Sequence, residues 1–106
     1  MIYEVNIDID ADVFDKYVVW LRKHMSEMLS LEYFEAATLY RVEADSLGED
    51  GKRSISVSVH YQVASREKLE QYFLNHAKPM RSDAIEKFGT KFSATRRVLT
   101  EDFSLG

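Results

Sequence analysis

At 106 residues the chain is long enough to bury one core and too short to divide into two, so residues 1–106 are read as one domain. Its 45% apolar and 30% charged residues exclude a disordered or fibrous chain, and the absence of cysteine excludes disulfides, thiolate nucleophiles and Cys-based metal centres. A net charge of -4 offers no general attraction for nucleic acid or anionic lipid, and neither is expected as a partner.

The opening Met1-Ile2-Tyr3-Glu4-Val5-Asn6-Ile7-Asp8 has no basic leader and no apolar run of membrane-spanning length, so a cytoplasmic protein that begins as written is expected. From Tyr3 to Ile9, apolar Tyr3, Val5, Ile7 and Ile9 alternate with polar Glu4, Asn6 and Asp8, the period of a half-buried strand. Asp10 is placed to cap a first helix, with Asp12 in its first turn. Phe14, Tyr17, Val18, Leu21, Met25 and Met28 carry its apolar stripe to about Leu29. Phe34 to Glu43 is rich in aromatic and β-favouring residues and reads as a second strand, its two sides too alike in polarity to assign burial. The segment Asp45-Ser46-Leu47-Gly48-Glu49-Asp50-Gly51-Lys52 is a concentrated turn signal. Beyond it Ile55, Val57, Val59, Tyr61 and Val63 alternate with Ser56, Ser58, His60 and Gln62, which predicts a hairpin. Ser65 is placed to cap a second helix with Leu69, Tyr72, Phe73, His76, Ala77 and Met80 on one stripe. Pro79 should break or kink it, and Phe88-Gly89 ends it. Lys91 to Leu99 returns to strand character, with Phe92, Ala94 and Val98 on one side and Arg96 and Arg97 straddling both; a polar tail follows from Thr100.

This order, βαββαβ, is that of an α+β ferredoxin-like fold, a four-stranded antiparallel sheet with two helices on one face. The first and third strands are then central neighbours. Tyr3, Val5, Ile7, Ile9, Ile55, Val57, Val59 and Tyr61 face the helices, and Glu4, Asn6, Asp8, Ser56, Ser58, His60 and Gln62 face away. One reading of the helix-free face is a ligand site formed by Glu4, Asn6, Arg41, His60 and Arg97, whose donors and acceptors suit an anionic or hydroxylated small molecule. The other is a solvated sheet face. A second candidate site is the cleft around His76 on the helix side.

No cofactor is implied. The H-x-x-x-H metal spacing is absent, no strained elbow marks Ser58 and His60 as a nucleophile pair, and Gly48, Gly51, Gly89 and Gly106 form no phosphate loop. The open face of the third strand presents Ser56, Ser58 and His60 in place of the stacking aromatics of RNA-binding ferredoxin-like domains.

Ile2-Tyr3-Glu4-Val5-Asn6, Trp20-Leu21, Asn75-His76-Ala77-Lys78-Pro79, Phe88-Gly89 and Phe92-Ser93-Ala94-Thr95-Arg96-Arg97-Val98-Leu99 together give a resemblance spanning nearly the whole chain. By them it resembles short bacterial proteins of unknown function in the dimeric α+β barrel superfamily, distantly similar to antibiotic-biosynthesis-type monooxygenases. The resemblance implies a homodimer with sheets paired face to face. Haem-degrading members of the superfamily use an Asn on the first strand, a Trp on the third and a His on the second helix. Asn6 and His76 match in position, but the third strand has no Trp, and Trp20 lies on the first helix. The function expected is therefore that of an uncharacterised dimeric module binding a metabolite or a partner. The alternative is a cofactor-free monooxygenase or isomerase acting on a small aromatic or polyketide-like substrate.

Overall fold

Alternation at the N-terminus produces β1 (Ile2–Asp10), and the same pattern produces β3 (Ser54–Val63), which pairs with it antiparallel from Ile2 opposite Gln62 to Asp10 opposite Ser54. The computed structural model describes residues 1–43 and 54–106, so the expected turn over Asp45 to Lys52 lies outside the described residues. β2 (Phe34–Arg41) pairs with β3, and β4 (Phe92–Leu99) pairs with β1 on the other side. The sheet is wholly antiparallel in the order β2-β3-β1-β4.

The ambiguous polarity of β2 has a local cause. Its register with β3 slips between Phe34 and Ala36, so one extra residue interrupts the alternation. Phe34 lies opposite Val63; beyond the slip, Ala37, Leu39 and Arg41 share the helix side, and Ala36, Thr38 and Tyr40 the open side.

Three departures from the expected helices follow from backbone chemistry. Asp10 makes no side-chain cap: its own N–H is held by the Lys91 carbonyl at 2.8 Å, and a 3-10 turn, Ala11–Val13, comes before α1 (Phe14–Ser30). The second helical region is two helices, α2 (Arg66–Asn75) and α3 (Ala77–Phe88), so the chain has three α-helices and not two among the described residues. The break falls at His76 (φ −132°, ψ −22°) because a proline ring clashes with the carbonyl four residues before it, here Asn75; Pro79 itself sits comfortably in the first turn of α3. Ser65 does cap α2, its hydroxyl accepting from the Lys68 N–H at 3.1 Å. Gly89 ends α3 at φ 57°, ψ −123°, the first central position of a type II′ turn closed by Lys91 N–H to Phe88 C=O at 3.0 Å.

All the helices bury their stripes on one side of the sheet. Tyr3, Ile7, Ile9, Val57, Val59 and Tyr61 from the strands meet Tyr17, Leu21 and Met28 of α1 and Leu69 and Tyr72 of α2. Aromatic rings make the centre of this layer: Phe34 lies 5.3 Å from Tyr61 and 5.1 Å from Tyr72 between ring centroids. The extent along the shortest axis is only 18 Å, about one sheet and one helix layer, so none of the described helices covers the other sheet face. No helix among the described residues is long and apolar enough to cross a membrane.

Candidate functional site

On the open face the register places Glu4 of β1 directly between His60 of β3 and Arg97 of β4. One carboxylate oxygen accepts from Asn6 Nδ2 at 2.8 Å and from Arg97 Nε; the other lies 3.0 Å from His60 Nε2. Glu4 is 5% exposed although none of the described helices covers this face, so its shielding comes from the side chains of its neighbours and not from depth. The bonds from Arg97 and then Asn6 hold its carboxyl below the ordinary carboxylate range; partial desolvation opposes them and the charges of Arg97 and His60 assist. Beside this group Ser56 donates to Asp8, and Tyr40 sets its ring edge-on to His60 at 5.0 Å.

Four of the five residues expected on this face, Glu4, Asn6, His60 and Arg97, are therefore brought together. Arg41 is not. It shares the helix side with Val57, and its guanidinium lies 4.7 Å over the Phe14 ring of α1. The sequence held the signal for this, since Arg41 is in phase with Leu39 and Ala37. His76 lies at the break between α2 and α3, its ring 5.5 Å from that of Tyr33. Asn6 and His76 are on opposite sides of the sheet, as the periodicities of their elements require.

The helix side holds a cleft of about 290 Å³ between β1, β4, α1 and α3. It exists because β4 is the least covered strand: Phe92 and Ala94 are half-buried, while Arg96 and Val98 on the same side are exposed. Tyr17 forms one wall, with its ring 4.8 Å from Phe88 and 5.1 Å from Phe92. Trp20 forms another, stacked on His24 at 4.7 Å and donating its indole N–H to Asp83 at 2.7 Å. The floor is Tyr3, Val5, Val59 and Tyr61, and Tyr72, Met80, Arg81 and Ala84 close the far side. Burial pushes the hydroxyls of Tyr17, Tyr61 and Tyr72 far above the ordinary tyrosine value, so at neutral pH they are protonated donors. Burial also lowers the proton affinity of His24, which leaves a neutral imidazole against Trp20.

Periodicity alone reads most of these residues as core, which is why the cleft is not visible in the sequence. One signal was present: Arg81 stands on the α3 stripe of Ala77 and Ala84, where a charged residue is out of place. Among the described residues no three His, Asp or Glu side chains gather as a metal site.

Among curated proteins, none matches the chain. One family model covers residues 1–102, and on that match the chain belongs to the family described as Domain of unknown function (DUF4286).

Proposed function

We propose that the protein is a one-domain, homodimeric binding module of ferredoxin-like topology that holds a small metabolite in the cleft between its helices and its sheet. The observation that carries this reading is the cleft itself, concave, walled by aromatic rings and supplied with a few converging polar groups. Its roughly 290 Å³ suits a ligand of one or two rings. The sheet order, with β1 and β3 in the centre, supports the ferredoxin-like topology.

The uncovered sheet face supports the dimer. Glu4 is already satisfied by Asn6, His60 and Arg97 within its own sheet, so a second copy can lie against this face without orphaning it. Paired sheets of this kind are the arrangement of the dimeric α+β barrel superfamily. Ligand and partner would then occupy opposite faces, and the group at Glu4 serves assembly instead of ligand binding. Binding is preferred to cofactor-free oxygenation or isomerisation because the hydroxyls of Tyr17, Tyr61 and Tyr72, kept protonated by burial, are suited to donating to a bound ligand. A cysteine-free chain suits the cytoplasm.

The chain has one tryptophan, so a 15N-labelled sample gives one indole N–H resonance, and it reports on the cleft. One- and two-ring aromatic fragments should shift that resonance, and Ile85→Tyr, placed at the exposed mouth, should remove the shift without unfolding the chain. Fragments that instead perturb Ser58, His60 and Arg97 and leave Trp20 unmoved would return the site to the open face. Light scattering should give a dimer at tens of micromolar protein.

A further inference from the structure

The charge around the cleft is opposite to that of the chain. The sequence carries 18 acidic residues against 14 lysines and arginines, yet the cleft is lined by Arg81 and Arg96 and, among the described residues, by no aspartate or glutamate. The nearby carboxylate of Asp83 accepts from the outer side of the Trp20 wall at 2.7 Å and has Lys87 at 3.7 Å as its counter-charge. His24 adds no positive charge at neutral pH, since burial favours its neutral form. Two guanidinium groups therefore set the polarity of the cavity.

Arg81 is also incompletely bonded. Its Nη2 donates to the Tyr3 hydroxyl at 3.1 Å, but its Nε–H is buried with no acceptor among the described residues. Buried donors almost always find a partner, and a guanidinium offers its Nε and Nη hydrogens as a fork that matches a carboxylate. Arg96 reaches the same space from β4, and its charge acts on Tyr17, Tyr61 and Tyr72 together. The walls facing these cations are flat rings, Tyr17, Trp20 and Phe92.

We propose that the cleft is selective for an aromatic carboxylate, with the anion held by Arg81 and Arg96, further donors supplied by the tyrosine hydroxyls, and the ring system packed against Tyr17 and Trp20. This rests on the reading of the cleft as the ligand site and adds the chemical class that the site selects.

The probes are 2-naphthoate and its uncharged isostere 2-naphthamide, titrated into the full chain while the Trp20 indole resonance is followed. The expected result is binding of the carboxylate about tenfold or more tighter than of the amide, as a charge-assisted bond to a guanidinium gives. In Arg96→Gln, a change at an exposed strand position, and in Arg81→Gln that preference should shrink while the amide still binds. Equal affinity for the two probes, or a carboxylate preference unchanged in both variants, overturns the anion assignment and leaves the cleft standing as a ligand site. If neither probe moves the Trp20 resonance at millimolar concentration, while the spectrum remains that of a folded chain, the cleft reading and the anion assignment fall together.

Discussion

The two faces of this sheet treat polar groups in opposite ways. On the open face Glu4 is enclosed by Asn6 of its own strand and by His60 and Arg97 of the two neighbouring strands, so a nearly inaccessible carboxylate is partnered within the sheet. On the helix face Arg81 projects among aromatic rings with one bond to Tyr3 and a buried N–H that none of the described residues accepts. A closed network stabilises and specifies; an incomplete one selects what can complete it. That difference is why the face richest in titratable side chains is read as scaffold and the face richest in apolar ones as the ligand site.

Stability should separate the faces. Phe34→Ala removes a ring that is 5% exposed and packed among Tyr3, Tyr61 and Tyr72, and should cost about 3–5 kcal/mol. Thr38→Ala, exposed and opposite His60 on the open face, should stay within about 0.5 kcal/mol of the parent. Urea unfolding of the two variants tests the contrast, and similar losses would mean that the open face is as tightly packed as the core.

Glu4→Gln should have an intermediate effect, about 1–3 kcal/mol at neutral pH, because it leaves the shape intact but turns one acceptor into a donor facing donors. Since the native carboxyl titrates below its ordinary value of 4.5, its contribution is fully present above that value and is lost as pH falls through the lower native one. The stability gap between parent and Glu4→Gln should therefore be flat down to about 4.5 and close below it. Titrations of groups remote from Glu4 cancel in that difference, and carrying His60→Gln in both proteins removes the one imidazole that lies against it. A gap that persisted unchanged at pH 3 would show that the charge of Glu4 is not what the network uses.

The alternating strands were the most legible part of the chain, because a period of two assigns every side chain of β1 and β3 to a face without further information. That assignment also brings Glu4 beside His60. β2 was harder because its bulge breaks the period, and this is why Arg41 was expected on the wrong face. Pro79 marks the helix break in the sequence, but a proline acts on the carbonyl four residues before it, and the interruption falls at His76. The cleft could not be read from any one element. It is a gap left where α1 and α3 fail to cover β4, lined by residues that taken singly look like core.

Arg97→Gln should have the smallest effect of the changes to the Glu4 group. Arg97 lies beside Glu4 but its side chain is 68% exposed, so water can replace much of what it gives the carboxylate, and Asn6 remains as a donor with His60 3.0 Å away. In a chain whose open face is solvated, its loss should cost no more than about 1 kcal/mol, and its coupling to Glu4, measured by a double-mutant cycle with Glu4→Gln, should fade in about 1 M salt. The same cycle reports on assembly. A second sheet laid over this face would take Arg97 out of water, and the coupling would then grow with protein concentration and resist salt. The cycle is therefore best run across the concentration range in which light scattering tests for the proposed dimer. Coupling that is weak and salt-sensitive at low concentration and strong at high concentration places the Glu4 group inside an interface between copies; coupling that stays equally weak throughout means that the open face stays in solvent.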